Sequence, residues 1–244
     1  MPNEVLVLLA LSVFVIAGLY SSVGHAGASG YIAILTLFSV APADIKPIAL
    51  ALNILVASIG TWQFWRAGYF SWPVFWPFAV LSVPLAFLGG YVNLSTHAFK
   101  ILVGCILLLS AAQLLIRPPA EREPVPPSKP VAIGVGAGLG LLAGLTGTGG
   151  GIFLTPLLIF KRWARTATAS AVSAPFILLN SASGLLGNVT ATNVFPRFAG
   201  ALVAAAAIGG TIGSQIGSRH LAPSAIKRLL AVVLIIAGLK LIFT

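Results

Sequence analysis

Apolar residues run along this chain in long stretches broken at short polar corners. Six of them, 45–65, 74–92, 98–116, 167–189, 198–218 and 225–243, hold close to twenty residues each. A helix rising about 1.5 Å per residue needs about 20 residues to cross a hydrocarbon core of about 30 Å, so each predicts a transmembrane helix. Four other apolar runs are shorter. They come as two pairs, 5–20 with 31–40 and 131–145 with 152–160, each pair joined by a glycine-rich segment. The pattern predicts two hairpins of short helices that enter the membrane and return. Barrel strands alternate with a period of two in short segments, which these unbroken runs do not.

The same order of parts occurs twice. Residues 18–38 read GLYSSVGHAGASGYIAILTLF, and 122 positions later residues 140–160 read GLLAGLTGTGGGIFLTPLLIF. Near the end of each half, 90–100 (GYVNLSTHAFK) parallels 217–227 (GSRHLAPSAIK) at an offset of 127. Between the halves, 117–130 holds six prolines and five charges, the composition of an exposed linker. The expected architecture is an all-α integral membrane protein of two inverted-topology repeats, each a glycine-tipped helical hairpin plus three transmembrane helices. The repeats span 1–116 and 131–244, with a cytoplasmic linker at 117–130.

Composition supports the membrane and charge sets the orientation. The chain is 58% hydrophobic and 7% charged, too few charges to coat a soluble globule, and too apolar for disorder. Fourteen Lys and Arg face four Asp and Glu. A net charge of +10 on a soluble domain would suggest nucleic acid; here basic residues mark cytoplasmic loops. If each hairpin reverses direction, the halves are inverted. One face then collects Arg66, Arg117, Arg122, Lys129, Lys161, Arg162, Arg165, Arg219, Lys227 and Arg228, and the other only Lys46, Lys100, Arg197 and Lys240. Parallel halves would split the same residues eight against six. The inverted arrangement puts both termini outside a cell inner membrane, and all five tryptophans near the inner loops. Shallow hairpins and almost-crossing ones give the same parity. The N-terminus lacks the positive region of a signal peptide, so the first run stays in the mature protein.

Interrupted helices at membrane depth are tolerated only where protein buries them or a cavity receives them. The second helix of each hairpin begins at a glycine tip and offers unpaired N–H groups and a positive dipole end there. Two such ends facing one place make an anion site without a buried cation. This marks Gly24, His25, Gly27 and Ser29 in the first tip, and Gly147, Thr148, Gly149, Gly150 and Gly151 in the second, as substrate-binding candidates. Close helix packing is the other use of such glycines. The stripes Gly136–Gly140–Gly144 and Gly209–Gly213–Gly217, four residues apart inside continuous runs, read as packing.

The third run of each half carries small and polar residues at helical spacing. They are Ala49, Asn53, Ala57 and Gly60, then Ser170, Ser173, Ser181, Gly184 and Asn188, with Asn180 beside them. Such a stripe faces protein or a wet cavity, and Asn53 and Asn180 each bring two donors for an oxyanion. His25 is the one titratable side chain expected at membrane depth. It could donate to an anion, carry a coupling proton, or hold structure. His97 and His220 fall at loop ends, and Asp44 reads as a helix cap. No carboxylate pair, metal-ligand spacing or phosphate loop occurs, so neither an enzyme nor a cofactor is expected. A lone cysteine, Cys105, leaves no intrachain disulfide.

The stretch 146–158, TGTGGGIFLTPLL, resembles the glycine-rich signature of the TauE/SafE family of sulfite and organosulfur-anion exporters. Residues 169–173 (ASAVS) and 209–217 (GGTIGSQIG) fit that family too. The first half departs from it: HAGASG replaces the glycine run, and Ile34 stands where the second copy has Pro156. The resemblance implies permeation of sulfite, a sulfonate or a related small sulfur anion. The expected function is a secondary transporter exporting such an anion by alternating access. An uptake carrier, an anion channel and a non-transporting scaffold are the rivals. The expected partners are the sulfur anion, membrane lipid and, at most, a second copy of the chain; nucleic acid is not among them.

Overall fold

The computed structural model describes residues 3–22, 27–116, 123–193, 195–196, 198–217 and 223–243, with no strand among them. Ten helices follow in chain order: α1 (Asn3–Ser22), α2 (Ala28–Leu37), α3 (Pro42–Arg66), α4 (Trp72–Tyr91), α5 (Thr96–Leu115), α6 (Lys129–Thr146), α7 (Gly151–Phe160), α8 (Thr166–Thr192), α9 (Ala199–Gly217) and α10 (Pro223–Phe243). Among the described residues, six of these are long and apolar enough to cross a membrane. Prolines in the first turn start α3, α4 and α6, where the missing N–H has no intrahelical partner to lose. Pro47, Pro77, Pro84, Pro156 and Pro175 lie inside helices, which neighbouring helices make tolerable at membrane depth.

The hairpins differ from expectation in their first arms. α1 and α6 have 20 and 18 residues, nearly full spans, and only the returning arms α2 and α7 are short, at 10 each. Ten residues reach about 15 Å, half of the hydrocarbon core. The polar ends of α1 and α6 keep the helical hydrogen-bond ladder beyond the apolar stretch. Asp44 sits in the first turn of α3; the N-cap itself is Ala41.

Glycine sets how close the helices come. A Cβ on Gly136, Gly140 or Gly144 of α6 would run into the carbonyl oxygens of Phe78, Ser82 and Ala86 of α4. The partners advance in step, four residues at a time, so α4 and α6 run parallel with backbones touching. Small residues give transmembrane helices this close van der Waals contact, there being no hydrophobic drive between helices in lipid. α1 and α9 repeat the arrangement, with Gly209 over the Phe14 carbonyl and Gly18 against that of Gly209. Two other pairs run antiparallel. Gly60 of α3 faces Ala174 of α8 while Leu50 faces Gly184; Gly104 of α5 faces Ile242 of α10 while Leu108 faces Gly238. The packed pairs are α4–α6, α1–α9, α4–α8, α5–α10 and α3–α8, and α3 also touches α9.

The two ends of the bundle differ chemically. At one end Trp65 stacks on Phe70, Trp72 packs on Phe75, Trp163 on Phe78, Arg66 lies over Trp62 and Lys129 over Trp76. The 123–128 segment is fastened there too: Val125 N–H donates to Arg162 O at 2.8 Å, and Arg165 pairs with Glu123 at 2.9 Å. This tryptophan end carries Arg66, Lys129, Lys161, Arg162 and Arg165. At the opposite end lie the α2–α3 and α4–α5 connections.

The α4–α6 contact is testable within one helix. Gly140→Leu should lower stability by about 1–3 kcal/mol or more, the range for overpacking. Gly138→Ala, where a Cβ meets nothing within 4 Å, should be neutral or stabilise by up to about 1 kcal/mol. Melting of the purified variants in one detergent checks both; equal effects would refute the close contact.

Candidate functional site

Each hairpin turns on glycines with left-handed backbone, and each turn ends at the N-terminus of the short arm. Gly147, Gly149 and Gly150 have φ of 82°, 69° and 82°. A β-carbon is strained at such angles, so three within four residues require glycine. Gly150 is the N-cap of α7, and its carbonyl receives the N–H groups of Phe153 and Leu154 at 3.1 Å each. The N–H groups of the first α7 residues have no intrahelical acceptor, and no side chain caps them. Gly27 plays the same part for α2, with φ 77° and again no side-chain cap.

Polar contacts inside protein hold the second turn. Thr146 donates through Oγ1 to Leu142 O at 2.6 Å; with that proton committed, the 3.0 Å contact has Thr148 donating to Thr146. Asn53 of α3 donates through Nδ2 to Gly147 O at 3.1 Å. On the α8 side, Gly149 lies against Ser181 and Ile177, and Gly150 against Phe176. The turn is thus wedged between the middle of α3 and the middle of α8. In the first hairpin the Tyr20 hydroxyl bonds Ser29 Oγ at 2.9 Å, and the Tyr31 ring lies under Gly27. Gly24 and His25 lie outside the described residues.

Both short-arm N-termini open on one cavity of about 320 Å³. Gly27, Ala28 and Ser29 form part of its wall, and Gly151 and Ile152 another. From there it runs along α7, the second half of α3 and the first half of α8 to Phe64, Phe160, Thr166 and Ile116, at the tryptophan end. Its described lining has no charged side chain. Ser173 contributes a hydroxyl that is buried and has no hydrogen-bond partner. Thr155, Gln63, Gln113 and Ser170 add further polar groups, while Val56, Ile59, Ile152 and Ile159 are apolar. The arrangement places two helix N-termini and several hydroxyl-bearing residues on one largely apolar cavity.

The sequence-marked residues divide accordingly. Gly27, Ser29 and Gly151 line the cavity. Gly147, Thr148, Gly149 and Gly150 shape the turn behind it. Asn53 secures that turn through its amide nitrogen, and its Oδ1 has no partner. Asn180 is engaged at both ends: Oδ1 accepts from Ser82 at 2.7 Å and Nδ2 donates to Phe176 O at 2.9 Å, tying α4 to α8. The α7 wall (Ile152, Thr155) and Gln113 were not marked from the sequence. A polar residue late in the 98–116 run was the available signal for Gln113. Lys46, counted by its charge on the outer face at the start of the 45–65 run, is buried in α3, 5% exposed, donating to Gly90 O and Val92 O.

Comparison of the sequence with known proteins places the chain in a family. The family model described as Sulfite exporter TauE/SafE matches residues 9–241. Probable membrane transporter protein y4hK of Sinorhizobium fredii (strain NBRC 101917 / NGR234) is 42% identical over 240 residues, covering 96% of this chain and 97% of that protein. Probable membrane transporter protein YunE of Bacillus subtilis (strain 168) is 26% identical over 187 residues, 68% of each chain. No solved structure matches. With ten apolar helices and a match across nearly its whole length, the chain belongs to the TauE/SafE sulfite exporter family and is a multi-pass membrane transporter.

Proposed function

We propose that the protein exports a small sulfur oxyanion, sulfite or an organosulfonate, across the cell inner membrane. The anion sits at the N-termini of α2 and α7, and two inverted repeats alternate access around it. One observation carries this reading: two uncapped helix N-termini line a single cavity whose described walls hold no charge. Each N-terminus acts as about half a positive charge, so a pair balances about one negative charge. Ser173 supports it independently, as a residue of the cavity wall whose buried hydroxyl has no hydrogen-bond partner.

The repeat reading draws support from the antiparallel runs of α3 with α8 and α5 with α10, as inversion requires, and from the pairs α4–α6 and α1–α9, which inversion exchanges. Basic and aromatic residues at one end support a cytoplasmic tryptophan end with both termini outside. The cavity is then open to the cytoplasm, where a cargo for export is collected. Export of an anion from a negative-inside cell runs downhill by about 2.3 kcal/mol per charge per 100 mV, so no ATPase is needed.

Purified protein in liposomes tests the function. Saturable sulfite or sulfonate counterflow, with ligand-dependent stabilisation in a thermal-shift panel that includes sulfate and thiosulfate, is the expected result. Unsaturable flux would make it a channel, and no flux or stabilisation a scaffold. For topology, cysteines placed at Arg162 and in 123–128 should be shielded from impermeant external reagents in intact cells, and one at Asn3 labelled.

Ser173→Ala separates binding from folding. A hydrogen bond to a charged acceptor is worth about 1.5–3 kcal/mol, so anion affinity should fall roughly 10- to 100-fold. Stability without ligand should hold, because the hydroxyl has no partner to lose. Unchanged affinity would remove Ser173 from the site. His25 is proposed as the proton carrier. His25→Gln should keep binding the anion but lose pH-gradient-driven accumulation, with voltage clamped by potassium and valinomycin; unaltered pH-driven flux would eliminate that role.

A further inference from the structure

We infer that Lys46 and Lys240 form the gate that closes the end of the protein opposite the cavity. The inference rests on the repeat reading above. The offset of 127 that lays Lys100 on Lys227 also lays Gln113, a wall residue of the cavity, on Lys240. The helix-interior prolines Pro47 of α3 and Pro175 of α8 correspond at an offset of 128. The residues before them are Lys46 and Ala174, and Ala174 also lines the cavity. Two wall positions of the open vestibule thus correspond to two lysines at the other end.

Those lysines fill the corresponding place and tie it shut. Lys46 reaches from α3 to the C-terminus of α4, donating to Gly90 O at 2.8 Å and Val92 O at 3.0 Å. Lys240 reaches from α10 to the C-terminus of α2, donating to Thr36 O at 2.9 Å, Leu37 O at 3.1 Å and Ser39 Oγ at 3.0 Å. Four of these acceptors are helix-end carbonyls, at the negative end of the dipole, where a cation is favoured. Each tie joins two helices, and one of the tied elements is the returning arm of the first hairpin. The backbone of Lys46 also lies against Gly147, the first residue of the second turn, so movement of the turn and release of the tie are mechanically linked. An ammonium held by carbonyls can exchange them for water or a passing anion. Opening this end frees two cations into the exit path, whereas the described lining of the cavity at the tryptophan end has none.

Cysteine labelling in intact cells, in a Cys105→Ser background, tests the gate. Thr155 lines the cavity, and Ala33 corresponds to it 122 positions earlier, buried at the other end. In the parent, Thr155→Cys should resist an impermeant external maleimide and react with a permeant one, and Ala33→Cys should resist the external reagent. External labelling of Thr155→Cys would defeat the topology and not the gate. Adding Lys46→Gln or Lys240→Gln should raise external labelling of Ala33→Cys about tenfold and slow that of Thr155→Cys by the permeant reagent. Lys46→Arg and Lys240→Arg should return both rates toward the parent. Unchanged rates in folded Gln variants overturn the gate. Should the Gln variants fail to insert, Ser39→Ala decides, because it removes one acceptor of Lys240 without altering charge. A rise of about threefold at Ala33→Cys supports the gate, and none overturns it.

Discussion

A backbone group at membrane depth must find a hydrogen-bond partner, because lipid supplies none. Everything distinctive here follows from breaking that rule twice, at the two glycine turns. The second turn leaves N–H groups of α7 unpaired and survives because α3 and α8 wall it off from lipid. Asn53 takes the Gly147 carbonyl, Thr148 bonds Thr146, and Phe176, Ile177 and Ser181 close the other side. The walls need α3 and α8 to reach past the turn, which they do at 25 and 27 residues. The N-terminus of α7 left unpaired lines the cavity, so in the proposed function the defect that endangers the fold would provide the binding groups.

Close packing elsewhere supports the two turns. α6 reaches the second turn only by lying along α4 with glycine against carbonyl, and Asn180 and Ser183 then fasten α4 to α8. A core of Leu and Phe alone would hold these helices further apart and leave the turn exposed. The glycine stripe therefore sets the position of Gly147 to Gly151 as firmly as the contacts inside the turn.

Much of this was legible before any coordinates. Glycine runs between short apolar stretches marked the breaks, and four-residue glycine spacing marked the close contacts, because both are local requirements of backbone geometry. The length of the first hairpin arms was less visible: Asn3, Ser21 and Lys129 end an apolar run without ending a helix. Partner choice was not visible at all. Asn53 and Asn180 look alike on their helices, yet one braces the turn and the other binds Ser82. The burial of Lys46 was not visible either: charge predicts solvent, while its long stem can bury along apolar surface and deliver the ammonium to carbonyls.

The absence of a fixed Lys or Arg charge among the described residues of the cavity wall has a physical reason that suits the proposed carrier. A buried lysine would itself need compensation when the site is empty, since an unpaired charge in low dielectric is costly. It would also hold the anion strongly, for a full charge at contact in such surroundings is worth far more than in water. Helix N-termini avoid both problems. Their partial charges are already part of the hydrogen-bonded ladder, so the empty site is tolerable, and their field falls off within a turn. The buried hydroxyl of Ser173 adds direction without charge. The ammonium groups are kept at the far end, where carbonyls compensate them while the path is closed. On the proposed function, separating the anion's seat from the cations would let one protein be stable empty, bind its cargo and let it go.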